Sequence, residues 1–249
     1  MRYFALAALL CTFAHAQDKK DQPKKDAPPK VLCAVPLVAK PGEKQKLVLR
    51  GKNLAGVKEV KVEGATLKVL GAKAAGVPNN YPADRVGDSE VEIELDVPKG
   101  AKVVKLIAVN TGGESNAYEL LPRDDTPAVS EKEDNGGFAT AQPVPVPCAI
   151  EGTIKSERDV DVFKIEGKAG EKLHIEVQAA RFGSPLDGFL TLHDADRKLI
   201  ASADDANGSP DPVLAVTLPK DGVYYLSLID AHDLGGANFG YRLVVKKGE

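Results

Sequence analysis

The chain has 249 residues, 43% hydrophobic and 28% charged, with a formal charge of −3 and no tryptophan. That charge excludes a strongly basic nucleic-acid binder, and the confinement of the long apolar run to the N-terminus excludes a multi-span membrane protein. Three cysteines are too few for a disulfide-framed miniprotein, so one large or two small soluble domains remain.

Residues 1–16, MRYFALAALLCTFAHA, carry one positive charge at Arg2, an apolar stretch to Ala14, and then Ala14-His15-Ala16. This is the pattern of a signal peptide cleaved before Gln17, too short to span a bilayer stably, and it predicts export to the periplasm, cell surface or medium. Its removal leaves Cys33 and Cys148, a candidate disulfide in an oxidising compartment; two separate buried thiols are the alternative. Residues 17–30, QDKKDQPKKDAPPK, hold five lysines, three aspartates and three prolines without a large apolar side chain. Such a segment buries too little surface to offset its ordering entropy and is predicted to be a disordered leader.

From residue 31 to 122, short alternating runs are separated by turn residues. Lys46–Arg50, Val57–Val62, Val103–Val109 and Ala117–Leu120 read as strands, and VEIELDV at 91–97 alternates apolar and acidic residues cleanly. Only Ala72–Ala75 suggests a turn of helix. Residues 76–89, GVPNNYPADRVGDS, read as a long exposed loop in which Tyr81 is a candidate ligand contact. This punctuation predicts a small β-sandwich. Pro36, Pro41-Gly42, KLVLRGKNL and VKVEGA resemble the opening of an immunoglobulin-like IPT/TIG domain. The resemblance implies an immunoglobulin-like fold and a spacer or interaction role.

Residues 123–130, opening on Arg-Asp-Asp-Thr-Pro, read as a linker. The remainder, 131–249, divides into eight alternating segments: 149–154, 161–166, 172–178, 188–192, 199–203, 213–218, 223–229 and 241–246. Glycine-, aspartate- and asparagine-rich turns separate them, including Asn207-Gly208 within a glycosylation-type sequon read here as a turn. Eight strands in about 120 residues fit a jelly-roll-like sandwich. The fold class is therefore all-β, two tandem β-sandwiches, immunoglobulin-like then jelly-roll-like.

The second half resembles the bacterial pre-peptidase C-terminal domain, the family that includes the collagen-binding domains of clostridial collagenases. Glu131-Lys132-Glu133-Asp134-Asn135, Gly152-Thr153-Ile154, Asp159-Val160-Asp161-Val162-Phe163, Leu190–Asp194 and Gly222-Val223-Tyr224-Tyr225-Leu226 carry the likeness. By resemblance, Glu131, Glu133, Asn135, Asp159 and Asp161 are calcium ligands, with Gly136 standing where the family usually has another Asn or Asp. An extended backbone at 131–133 would point both glutamates the same way. A solvated acidic edge is the alternative.

The charge distribution agrees with a cation site in this half. Residues 31–126 hold 14 basic and 13 acidic side chains, whereas 127–249 hold 13 and 20. A second acidic group, Asp194, Asp196, Asp204, Asp205 and Asp211, fails the EF-hand pattern at the glycine and final glutamate positions and reads as turn formers. Tyr224 and Tyr225 are further candidate ligand contacts, on opposite faces of one strand. His174, His193 and His232 belong to no H-E-x-x-H motif or nucleophile elbow, and no cysteine-protease or P-loop signature occurs, so no catalysis is expected. The sequence predicts an exported, non-catalytic binding or adhesion module, calcium-stabilised, that contacts an extracellular or envelope protein or polysaccharide. The alternative is an accessory domain pair assisting a separately encoded secreted peptidase or glycosidase.

Overall fold

The computed structural model describes residues 27–77, 81–206 and 208–248. The predicted signal peptide, most of the leader and Asn207 lie outside them. The described chain is all-β and forms two β-sandwiches, as the alternation predicts.

The first contains β1 (Lys30–Val35), β2 (Val38–Ala39), β3 (Lys44–Lys52), β4 (Glu59–Glu63), β5 (Thr66–Ala74), β6 (Ser89–Asp96), β7 (Val104–Asn110), β8 (Gly113–Glu114) and β9 (Tyr118–Pro122). One sheet runs β1-β3-β6-β5 and the other β2-β9-β7-β4, with β8 on β7. Strand β6 shows why this pairing is stable. Val91, Ile93 and Leu95 are fully buried against Leu47, Leu49 and Leu106. On the wet face, Glu94 lies between Lys46 and Lys68, and Glu90 between Arg50 and Lys73. Opposite charges on adjacent strands support the register that the apolar face demands.

The second sandwich contains β10 (Ala128–Ser130), β11 (Gln142–Pro143), β12 (Cys148–Thr153), β13 (Asp161–Gly167), β14 (Lys172–Gln178), β15 (Gly188–Asp194), β16 (Leu199–Ala203), β17 (Val213–Thr217), β18 (Gly222–Asp230) and β19 (Gly240–Lys247). Its sheets run β10-β12-β19-β14-β17 and β11-β13-β18-β15-β16. Between them Ile150, Phe163, Ile175, Leu226, Phe239 and Leu243 are fully buried.

Several expectations are corrected. Residues 66–74 form a nine-residue strand rather than ending in a helical turn; the bulge between Val69 and Gly71 breaks the alternation that would have announced it. The stretch read as an exposed loop holds a short helix, Ala83–Val86, and Val86 is fully buried. Part of the predicted linker is β10, paired in parallel with β12. Cys33 and Cys148 are free, buried thiols rather than a disulfide. Cys148 belongs to the second core, whereas Cys33 lies on β1 of the first sandwich, so each is packed as a small apolar residue. Burial pushes the Cys33 thiol up to about 12 and the Cys148 thiol to about 11, which suppresses thiolate reactivity.

The sandwiches meet over a polar and an apolar contact. Arg123 pairs with Glu151, and Asp124 with Arg242, so the connecting segment is tied to β12 and β19 by reciprocal ion pairs. Tyr118 Oη accepts from Ala34 N (3.1 Å) and donates to the Phe182 carbonyl (3.0 Å) across the junction. Gly183, at φ 83°, packs against the Leu32 carbonyl.

One turn of the second sandwich is fixed by a single carboxylate. Asp211, 1% exposed, accepts from Ala179 N (2.9 Å) and Ala180 N (2.7 Å) through Oδ1. Through Oδ2 it accepts from Arg181 N (3.2 Å) and Arg181 Nε (2.7 Å). Asp211→Asn places an amide nitrogen against donors on one side. A loss of about 2 kcal/mol is expected in urea denaturation, with m unchanged.

Candidate functional site

Three strand ends and one loop converge beside the junction. Tyr241 opens β19 and faces inward, 2% exposed, directly opposite Gly152 of β12. Because residue 152 has no side chain, the phenol passes over it to reach Glu131. A Cβ at 152 would collide with Tyr241 Oη and lie 2.5 Å from Glu131 Oε2. Glu131 is held by its own backbone, whose N donates to the Glu151 carbonyl (3.0 Å), and by Thr153 N, which donates to Oε2 (2.8 Å). Asp161 opens β13 with its side chain fully buried. Asn135, 2% exposed, closes the loop: its carbonyl accepts from Val162 N (3.1 Å), and its Nδ2 approaches Glu131 Oε1 (3.4 Å).

The protonation of this cluster follows from counting hydrogens. Tyr241 Oη lies 2.7 Å from Asp161 Oδ2 and 3.1 Å from Glu131 Oε1 but has one proton to give. Satisfying both contacts requires a carboxyl proton as well. The electrostatics agree: burial, then the hydrogen bond and charge of Glu131, raise the Asp161 carboxyl to about 9, against the lowering effect of Tyr241. Without a counter-cation the Asp161 carboxyl therefore keeps its proton near neutral pH. Asp161 Oδ1 is buried and has no hydrogen-bond partner among the described residues. An orphaned carboxylate oxygen beside a second carboxylate and an amide is an oxygen donor set suited to a hard cation such as calcium.

Of the five ligands expected from sequence, Glu131, Asn135 and Asp161 come together; Asp159 lies near enough for its charge to help raise the Asp161 carboxyl, although Lys155 engages both Asp159 and Glu133. The 131–135 segment lies beyond the end of β10, and Asp134 has φ 68°, so the strand alternation that would align the two glutamates does not hold there. Glu133 Oε1 pairs instead with Lys155 Nζ (3.3 Å), and Asp159 Oδ2 accepts from Lys155 N (2.6 Å). Tyr241 and Gly152 were not singled out from sequence as parts of the site. Tyr241 reads only as the apolar start of a strand, and Gly152 only as part of the 149–154 strand and of the family likeness.

The other candidates separate. Tyr224 is fully buried, with Oη donating to the Lys220 carbonyl (2.7 Å), and is not a ligand contact. Tyr81 is not a free loop contact either: its ring packs edge-on to Phe239 at 5.8 Å. Tyr225 is half-buried on the outer face. Phe138, from the loop that carries Glu131 and Asn135, lies edge-on to both Tyr225 and His193 at 5.2 Å, with Arg197 over its ring. Burial lowers the pKa of His193, so this group is neutral at physiological pH.

The second acidic group divides three ways. Asp194 Oδ1 accepts from Asp196 N and Lys198 N in a turn, Asp211 fixes the turn described above, and Asp204 and Asp205 join Asp187. The carboxylate oxygens of Asp187, Asp204 and Asp205 lie within 4.8 Å of one another on the surface, a second arrangement that could accept a cation.

Residues 159–229 match the bacterial pre-peptidase C-terminal domain. That region of the chain begins at the Asp159–Asp161 side of the cluster and ends in β18. A probable subtilase-type serine protease of Deinococcus radiodurans is 38% identical over 117 residues. The alignment covers 46% of this chain but only 16% of the protease. Among solved structures, the pre-peptidase C-terminal domain of a Bacillus anthracis collagenase is 18% identical, covering 49% of this chain and all of that one, with a TM-score of 0.35. The secreted serine protease VesC of Vibrio cholerae is 15% identical, covering 85% of this chain and 48% of that one, with a TM-score of 0.30.

Proposed function

We infer that this chain is an exported, non-catalytic module pair that accompanies a secreted peptidase, its second sandwich being stabilised by calcium at Glu131, Asn135 and Asp161. One observation carries the accessory role: beside the pre-peptidase C-terminal match at 159–229, a 117-residue alignment with a serine protease takes up only 16% of that protease. This favours the accessory reading over free-standing adhesion. In this reading the first sandwich is the immunoglobulin-like spacer suggested by KLVLRGKNL, and the N-terminal apolar segment directs export.

Calcium, when bound, supplies two positive charges to a pocket that otherwise needs a proton. The chain's residues do the rest. Glu131 and Asp161 would provide the negative charge and Asn135 a neutral oxygen, while Tyr241 donates its single phenolic proton to one carboxylate, at the shorter distance Asp161, from the core side. Binding there tethers the 131–135 loop to the start of β13. It also fixes the placement of Phe138 against Tyr225 and His193, making an ordered aromatic patch available to a protein or polysaccharide.

The test is affinity capture from culture supernatant by the immobilised chain, in calcium and in EGTA, scored by peptidase activity in the captured fraction. Calcium-dependent recovery of a peptidase, with altered turnover or lifetime when the chain is present, is expected. Retention only of wall or matrix polymer, with no peptidase recovered, overturns the accessory role and restores the adhesion reading.

A further inference from the structure

The segment 81–87 leaves the first sandwich and ends inside the second. Val86, fully buried, belongs to the same apolar cluster as Phe239, Leu186 and Leu190 rather than to the core of its own sandwich. Tyr81 packs against that cluster, edge-on to Phe239, and its Oη donates to the Pro185 carbonyl (3.1 Å). The two Tyr81 contacts span 104 and 158 residues of sequence and do not involve the connecting segment.

The base of the projection is held equally firmly from the other side. Arg50, 6% exposed, donates from Nε to the Val86 carbonyl (2.9 Å) and from Nη2 to the Gly87 carbonyl (3.0 Å). Its Nη2 also donates to the Gly76 carbonyl, so one guanidinium gathers both ends of the excursion. Gly87 has φ 74°, and a Cβ there would collide with Gly51, which leaves glycine as the residue that fits. The Val86 carbonyl is shared: it accepts from Arg50 in the first sandwich and from Asn238 Nδ2 (3.1 Å) in the second. A backbone carbonyl with two buried donors from two domains fixes their relative position through both of its lone pairs.

We propose that residues 81–87 are a clasp, a piece of the first sandwich that completes the core of the second, so that the second reaches its full stability only while the first holds the clasp in place. Buried surface without a partner would appear at Phe239, Leu186 and Asn238 once the clasp left. The pair therefore behaves as one rigid body, and any ligand-binding face on the second sandwich keeps a set orientation to the first.

Hydrogen exchange on the full chain tests this. Val86→Ala opens a cavity in the second core and is expected to speed exchange in Phe239–Val245 and Leu186–Leu192 by about tenfold to a hundredfold. Tyr81→Phe removes only the hydroxyl contact to Pro185 and should give a rise of a few-fold in the same peptides. Arg50→Lys is the decisive variant, because all the contacts of Arg50 described above lie within the first sandwich. Faster exchange at Phe239 and Leu186 in this variant shows that the effect travels through the clasp. Second-sandwich exchange unchanged in Arg50→Lys and Tyr81→Phe overturns the proposal, even if Val86→Ala fails to fold. So does stepwise unfolding in which the second sandwich keeps its midpoint in both variants.

Discussion

Asp161→Asn should make the calcium-free protein more stable at pH 8 while abolishing its response to calcium. In the wild-type chain the native state holds a proton on Asp161 up to about pH 9, whereas an unfolded aspartate releases it near 4. A carboxyl whose folded pKa is raised favours folding fully below the unfolded pKa. That contribution is lost as pH rises through the folded one. Calcium-free stability should therefore fall from about pH 4 toward pH 9, with a slope of up to ~1.4 kcal/mol per pH unit from this group. The asparagine keeps an oxygen for Tyr241 Oη and brings its own hydrogens to Glu131, so the proton is no longer required.

At pH 8 in EGTA, a gain of roughly 2–5 kcal/mol over wild type is expected from denaturation curves. Calcium at a hundredfold excess over its dissociation constant should stabilise wild type by about 2.7 kcal/mol and the variant by nothing measurable. Glu131→Gln should weaken the pH dependence in the same direction, because the charge of Glu131 is one of the causes that raise Asp161. A wild-type chain in EGTA whose stability is flat between pH 5 and 8 would falsify the retained-proton account.

Gly183→Ala should cost about 3 kcal/mol and do so at the junction. A Cβ at 183 would collide with the Leu32 carbonyl and lie 3.5 Å from Cys33 Cβ, against backbone rather than a side chain free to turn away. The residue also has φ 83°, where an alanine is strained. Relief requires the two sandwiches to separate locally, and the neighbouring Tyr118 hydrogen bond to Phe182 would lengthen with them. Thermal unfolding should show the lower stability, and the Cys33 thiol should become accessible to a maleimide reagent that does not label wild type. Wild-type stability with Cys33 still protected would mean that the contact yields at no cost.

The strands were legible where one face is dry and the other wet. Ser89–Asp96, Lys172–Gln178 and Gly222–Asp230 alternate without interruption, and their bounds follow from that pattern within one residue or two. Thr66–Ala74 was not, because Gly71 breaks the period at a bulge and the strand lies at an edge with little buried surface. In the site, Glu131, Asn135 and Asp161 were reachable through the family resemblance, which also names Glu133 and Asp159, the two carboxylates that Lys155 engages. Spacing alone cannot tell a strand from a loop whose backbone turns at Asp134. Tyr241 was hidden because a tyrosine at a strand start usually means packing. Its role appears only when Gly152, 89 positions earlier, leaves room beside it. Val86 was unreadable for a similar reason: its apolar partners belong to another domain.

The placement of β19 has a mechanical consequence. The strand is flanked on both sides, by six residue pairs with β12 and six with β14, and its last residue, Lys247, lies beside Leu173 near the end of the sheet where β10 begins. The first sandwich grips the opposite end, at Phe239 and Phe182. The covalent connection enters at the Lys247 end, through β10, so a pull between the first sandwich and Lys247 would load the non-covalent contacts at Phe239 and Phe182 before it loaded the ladders of β19. Resistance to such a pull is set by the rate at which those junction contacts break rather than by equilibrium stability, so the two sandwiches would part before the second one unfolds.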